Sequence, residues 1–202
     1  MQKKAVENTP EWNLFLKDVK GIGPKMAAVL TTEIDIEEAT TVSKIWQYAG
    51  LNPGLVPAKK PGKERGTYVT TGEMIRGDRP SSGYLLPYNK YLKTKLMGVL
   101  ADSFIKSKSP YSKFYYDYKE RLENSENMVQ GKDKKWSEES KAHRNMAAKR
   151  YLVKMFLVDY YKEVRKIHNL PVREPYMEEY LGKVHSAQIA SSEKQPKHRK
   201  RA

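Results

Sequence analysis

Residues 16–30 read LKDVKGIGPKMAAVL, two runs of helical composition separated by Gly21-Ile22-Gly23-Pro24. A single helix does not pass through that tetrapeptide. Glycine and proline have the weakest helical preferences, and proline lacks the N–H that a continuing helix would use. Proline does suit the first turn of a new helix, where no partner for that N–H exists. The chain is therefore expected to end one helix, turn, and begin another at Pro24. Gly21 and Gly23 are expected to supply the positive φ of the turn, with Ile22 tucked between the helices. The second helix then opens with free backbone N–H groups and the positive end of its dipole, flanked by Lys20 and Lys25, which makes an anion site. An ordinary αα-hairpin with a glycine turn accounts for the same residues.

The rest of the chain reads as mainly α. Thr9 and Pro10 open the first helix, with Glu11 early and Trp12, Phe15, Leu16 and Val19 at helical spacing. A third, short helix carries Val42, Ile45, Trp46 and Ala49 on one side and stops at Gly50. Residues 52–66 are rich in Pro, Gly and Lys and read as a loop. TYVTTGEMIRG, 67–77, reads as a small hairpin around Thr71-Gly72, followed by a turn-rich segment. A helix with the stripe Leu92, Leu96, Val99 (with Leu100) and Phe104 follows, its Lys90, Lys93 and Lys106 directed elsewhere. The next helix puts Tyr111, Tyr115, Tyr118 and Leu122 on one face, a spacing that speaks for core packing over base stacking.

Residues 123–136 read as a flexible connection, and Ser137 with Glu138 and Glu139 as the cap of a long helix to about His168. LPVREP breaks that helix, and PYMEEYLGKVHS supplies a last short one. The expected organisation is a hairpin module over 10–53, a loop with a small β-hairpin insertion over 54–87, a helical region over 88–185 and a disordered basic tail over 186–202.

Charge and composition narrow the partner. Lys and Arg number 38 against 24 Asp and Glu, a formal +14. That surplus favours a polyanion, because each phosphate neutralised releases condensed counterions. With no cysteine there is no disulfide framework, zinc finger or thiol nucleophile. The N-terminus lacks the apolar core of a signal peptide, and no run approaches the roughly 18 apolar residues of a membrane span. A cytoplasmic, nucleoid-associated protein with no membrane partner and no cofactor is expected. His143, His168, His185 and His198 lack metal-ligand spacing, and no metal site is expected. On the long helix, Lys149, Arg150, Lys154, Lys162, Arg165 and Lys166 read either as a stripe along a phosphate backbone or as flanking an assembly face of Leu152, Met155 and Phe156.

Val19, Gly21, Ile22, Gly23, Ala27 and Leu30 match the pattern of the helix–hairpin–helix module, which this segment resembles. The resemblance implies hairpin amides that grip a duplex phosphate without reading sequence. Over a longer span, Gly21 to Pro24, Ala27 and Ala28, the acidic 33–38 and Ala49 to Pro53 resemble the C-terminal transposase domain of the insertion-sequence 110/116/902 family. The helical region from Asn89 and Leu92 onward is similar as well. The resemblance implies a DNA-binding transposase or site-specific recombinase domain with double-stranded DNA as partner. It also implies a guide RNA, a homo-oligomer, and an RNase-H-like half. That metal-binding half would precede this segment, so the chain is expected to be a fragment, a separately encoded subunit or a descendant put to another use.

The family's domain contributes a serine, in a Ser-Gly pair, that attacks a DNA phosphodiester. Ser82 with Gly83 is the only Ser-Gly pair in the chain. Aligned instead by closeness to Gly-Leu-x-Pro, Pro61 takes the serine's place, and proline carries no nucleophile. The sequence fits both registers. A serine recombinase needs cations on the developing charge, and Arg76, Arg79 and Lys90 are the candidates near Ser82. A plain turn at Ser81, Ser82 and Gly83 accounts for the same residues. A non-catalytic binder of duplex DNA or RNA, in a ribonucleoprotein or elsewhere, is the alternative function.

Overall fold

The structure, a computed structural model, describes residues 6–174. It is mostly helical with one two-stranded antiparallel sheet. The first helix, α1 (Pro10–Leu14), starts where Thr9-Pro10 predicts, with the Thr9 hydroxyl accepting the Trp12 N–H. It ends early. A 3-10 turn, Leu16–Asp18, replaces the expected continuation and buries Leu16. Helix α2 (Pro24–Glu33) begins at the proline, and α3 (Val42–Tyr48) is followed by Gly50 at a φ of +63°. A side chain at Gly50 would stand 2.7 Å from the Tyr88 ring, which closes over that end of α3. Next to it, Asn89 donates its side-chain amide to Glu33 (2.7 Å) and to the Tyr48 hydroxyl (2.9 Å). Its carbonyl caps the following helix through the Leu92 N–H at 2.9 Å.

That following helix is one rod in three parts: α4 (Lys90–Lys95), a π segment (Leu96–Leu100) and α5 (Ala101–Lys106). Leu92, Leu96, Leu100 and Phe104 are fully buried, whereas Val99 is 49% exposed, so Leu100 and not Val99 continues the stripe. A four-residue repeat drifts by about 40° per step on a regular α-helix. The wider π turn absorbs that drift and keeps all four side chains on the core.

The sheet pairs β1 (Leu55–Pro61) with β2 (Tyr68–Arg76), Leu55 opposite Arg76 and Pro61 opposite Tyr68. It corrects the sequence reading twice. The hairpin turns at 62–67 and not at Thr71-Gly72, and its first strand lies in the stretch read as loop. Pro57 and Pro61 disguise that strand, yet a two-stranded ribbon has free edges that tolerate missing donors. A register break sits between Pro57 and Lys59, where the Thr71 hydroxyl donates to the Ala58 carbonyl at 3.2 Å.

Helix α6 (Ser112–Glu123) runs back along α7 (Lys141–Ile167), pairing Tyr118 with Tyr151 and Tyr111 with Asp159. The N-cap of α7 is Ser140, whose hydroxyl accepts the His143 N–H at 3.2 Å, and not Ser137. Arg144 explains the difference. Its buried guanidinium takes the carbonyls of Ser137 (2.8 Å) and Glu139 (2.6 Å), so 137–139 fold back under the helix start. The Glu139 carboxyl, bonded by Lys132, the Ser140 N–H and His143, is held down at about 2. Residues 124–140 are likewise more built than a flexible connection, with Met128 bridged to Lys135 and the Val129 N–H on Lys134 at 2.8 Å.

Buried side chains lie on nearly every side of α7 from Ala147 to Val164, the pattern of a helix enclosed by its neighbours. Leu152, Met155 and Phe156 are in this core and offer no face to a second copy. The core runs through residues of both 10–53 and 88–164, while Val56, Ala58 and Ile75 make a separate small cluster with Tyr84 at the ribbon. Tyr160 donates to the Leu30 carbonyl (3.2 Å) and Tyr161 to the Thr40 carbonyl (2.8 Å). Buried Arg165 donates to Ile36 (2.7 Å), Ala39 (3.0 Å) and Pro171 (2.6 Å). Among the described residues no helix is long and apolar enough to cross a membrane. The last short helix, the 186–202 tail, His185 and His198 lie outside the described residues.

Two outcomes check this packing. Arg165→Leu strands two buried loop carbonyls and is expected to cost about 3 kcal/mol, read by urea unfolding. Asp159 accepts the Tyr111 hydroxyl at 2.7 Å, and burial pushes its carboxyl up to about 6. Between its unfolded value near 4 and about 6, the folded state holds a proton that the unfolded chain has lost. Stability therefore falls as pH rises through that window. Asp159→Asn is expected to raise the urea midpoint at neutral pH, with the gap closing by pH ~4.

Candidate nucleic-acid interface

The Gly21–Pro24 turn is built from below by α5. Gly21 has a φ of +100°, and a Cβ there would sit 2.9 Å from both the Phe104 ring and the Ser107 hydroxyl. The Ser103 hydroxyl donates to the Gly21 carbonyl at 2.6 Å. Ile22 is buried and its N–H bonds the Val19 carbonyl at 3.0 Å. Only Gly21 carries the positive φ expected of both glycines. Gly23 is extended, with a φ of −105°, and serves as the N-cap of α2 with no side chain to close it. A Cβ on Gly23 would meet nothing within 4 Å.

The consequence is an open helix start. Pro24 has no N–H, and the amides of Gly23 and Lys25 bond no acceptor among the described residues. Met26 and Ala27 both turn inward to the Gly23 carbonyl at 3.0 Å. The two outward amides and the dipole of a ten-residue helix therefore face free space. Lys20 and Lys25 are exposed beside them, with no carboxylate partner among the described residues. Lys106 and Lys108 flank Ser107, which lies under Gly21, and both are exposed with no carboxylate partner among the described residues. The sequence reading set Lys106 aside and missed Lys108. The available signal was Ser103 and Ser107, small residues one turn apart that admit a close backbone.

The other predicted residues are not gathered into one site. Ser82 is exposed in the turn closed by the Tyr84 N–H on Ser81 (3.3 Å), with Gly83 at a φ of +79°. Ser82 makes no hydrogen bond among the described residues, to a base or to a cation. Arg76 is committed elsewhere, holding Asp78 at 3.1 Å. Arg79 and Lys90 are exposed, Lys90 as the first residue of α4. Pro61 ends β1 opposite Tyr68. The ribbon adds exposed Lys59, Lys60, Lys63 and Arg65, which the loop reading left out.

The long helix is not a free basic stripe. Lys149 pairs with Asp102 (2.5 Å), Lys162 with Glu174 (2.5 Å) and Lys166 with Glu163 (2.8 Å), while Arg165 is buried. A groove of about 490 Å³ is lined by Glu11, Glu33, Asp35 and Glu37 beside His168, which holds Glu11 at 2.6 Å. Such a face repels a polyanion. Among the described residues no group of three or more His, Asp or Glu side chains is placed to hold a metal ion.

The chain matches no family model, no curated protein and no solved structure.

The two glycines separate cleanly by mutation. Gly21→Ala is strained by its φ and by Phe104, and is expected to cost about 2 kcal/mol in chemical unfolding. Gly23→Ala meets no clash in its extended backbone and is expected to cost less, about 0.5–1 kcal/mol, because alanine is a poorer N-cap than glycine.

Proposed function

We propose that this chain binds the phosphate backbone of double-stranded nucleic acid, DNA foremost, through residues 20–25. It would act as the helix–hairpin–helix element of an insertion-sequence-type transposase or site-specific recombinase domain. The single observation that carries the binding reading is the unobstructed start of α2. Two amides with no acceptor among the described residues stand at Gly23 and Lys25, with empty space over Gly23 and exposed Lys20 and Lys25 adjoining. Backbone amides plus ammonium groups grip phosphate without reading bases. Lys20, Gly21, Ile22, Gly23 and Lys25 carry the grip, Lys106 and Lys108 widen it, and the basic residues of the ribbon extend the charged surface. A guide RNA, a homo-oligomer and a separate RNase-H-like partner belong to the same proposal as expectations of the family resemblance.

Catalysis by Ser82 is a second reading, supported by its unbonded hydroxyl in an open turn. Among the described residues that hydroxyl is hydrogen-bonded to neither a base nor a cation, which favours pure binding for the chain by itself. Covalent trapping separates the two. A denaturation-resistant adduct with nicked duplex DNA, absent in Ser82→Ala, makes Ser82 the nucleophile. A native gel shift without an adduct leaves binding alone.

The binding reading has a sharper test in Gly23→Asp. A carboxylate at the N-cap satisfies the same amides from within, so α2 gains a few tenths of a kcal/mol. It also occupies the anion position, so duplex affinity is expected to fall by about tenfold in fluorescence anisotropy. Unchanged affinity would remove the turn from the interface. Charge reversal at Lys20, Lys25 and Lys106 is expected to flatten the salt dependence by about one unit of slope per lysine.

A further inference from the structure

A different cluster of cations lies at the far end of the 90–106 rod, where the ribbon joins the body. The Asp78 carboxylate, 9% exposed, takes Arg76 Nε from the end of β2 at 3.1 Å. Arg150 of α7 approaches the same carboxylate at 3.7 Å, a contact of charge without hydrogen-bond length. Lys93 of α4 donates its ammonium to the Asp78 backbone carbonyl and lies over the Tyr88 ring. Lys154, one turn beyond Arg150, holds its ammonium 4.8 Å from the centre of the Trp46 ring and has no carboxylate partner among the described residues. Four cations from α4, α7 and the ribbon's base thus gather at this junction, where the Asp78 carboxylate is met by Arg76 and Arg150 and its backbone carbonyl by Lys93.

Two donors in this cluster are buried with no acceptor, the Nε–H of Arg150 and the indole N–H of Trp46. Lys154 joins them, lying on the Trp46 ring and in the field of Arg150. Burial first, and Arg150 second, push the Lys154 ammonium down to about 8. Burial also lowers Lys93, with Asp78 opposing and Arg150 adding to the shift. Gathered like charge and unbonded N–H groups both work against folding, and an apolar side chain at 154 would avoid the cost. The cluster still reaches solvent, because the Arg76 and Arg150 side chains each remain 28% exposed.

Excess positive charge, a guanidinium with a free edge and an unbonded indole N–H are together the complement of a tetrahedral oxyanion. We propose that Arg150, Lys154, Lys93 and the Trp46 N–H form a phosphoryl-binding site, with Asp78 as the internal counter-charge that the ligand displaces from Arg150. Lys93 and Ser107 are fourteen positions apart on the rod, so this site stands about 20 Å from the Gly21–Pro24 turn. It does not depend on the binding role of that turn. The shared ligand chemistry is a phosphate monoester or free phosphate, and the two sources are separable by experiment.

The test uses the full chain with inorganic phosphate against chloride at matched ionic strength, by calorimetry and thermal melting. The parent protein is expected to bind phosphate and to melt higher in it, as linkage to a native-state site requires. Lys154→Met keeps the aliphatic packing, removes the charge and is expected to weaken phosphate binding by about tenfold or more. Without phosphate it should melt no lower than the parent. Trp46→Phe keeps a ring and removes one N–H, and should weaken phosphate binding several-fold, so it decides the matter if Lys154→Met fails to fold. No phosphate-specific response in the parent, or an undiminished response in the folded variants, overturns the proposal. With oligonucleotides, tighter binding of a 5′-phosphorylated strand than of its 5′-hydroxyl form, lost in Lys154→Met, assigns a nucleic-acid end as the ligand. Equal binding of the two strands with inorganic phosphate still bound assigns a small free anion. Loss of duplex binding in Gly23→Asp leaves all of these outcomes unaffected.

Discussion

The burial of α7 on almost all sides is the constraint on which the remaining structure depends. A helix of 27 residues that buries Leu152, Val153, Phe156, Leu157, Tyr160 and Tyr161 on one half of its circumference and Met155 and Val158 on the other has no single apolar stripe. It must be surrounded, so α1, α3, the 90–106 rod and α6 pack around it, and Tyr160 reaches α2 at the Leu30 carbonyl. Each fully buried Leu or Phe side chain contributes about 2 kcal/mol relative to exposure, so the first six outweigh any surface ion pair in the chain. Several of the polar groups that this enclosure traps are answered by backbone carbonyls. Arg144 holds the turn before the helix, and Arg165 holds the 36–39 loop and Pro171 after it.

That enclosure also sets the candidate interface. Phe104 lies 5.3 Å from Phe156 and 5.2 Å from Tyr111, ring centre to ring centre, and the same ring lies under Gly21. The turn is therefore seated on the core through one aromatic cluster and cannot shift without disturbing it. A phosphate-gripping turn needs that rigidity, since amides fixed in advance lose little freedom on binding. Charge is divided in the same way. Most cations of α7 are taken by carboxylates or carbonyls, so among the described residues the positive charge is felt at the turn lysines, the ribbon and the cluster around Asp78.

Several elements were legible in the chain because their cause is local. Thr9-Pro10, Gly23-Pro24 and Asn89 mark helix starts through capping and proline geometry, and Gly50 marks a helix end through its positive φ. The spacing of Tyr111, Tyr115 and Leu122 announces a buried face. What misled has a local cause too. Two prolines hid β1, since a strand in an isolated ribbon escapes the usual penalty. Three acceptors at 137–139 resembled a cap until Arg144 folded them away.

By itself the sequence determined where helices begin and stop, that a tight turn separates residues 19 and 24, and that the net charge suits a polyanion. These follow from backbone sterics, hydrogen-bond supply and side-chain counts, none of which needs a neighbour distant in the chain. Only the tertiary structure decided that Gly21, not Gly23, bears the left-handed backbone, because that choice depends on Phe104 and Ser107, more than eighty residues away. It alone decided which lysines are free, because pairing is set by distance in space: Lys149 meets Asp102, while Lys20, Lys25, Lys106 and Lys108 meet no carboxylate among the described residues. The gathering of Lys93, Arg150 and Lys154 beside Trp46 is likewise a product of packing, from helices that periodicity shows to be amphipathic but cannot bring together.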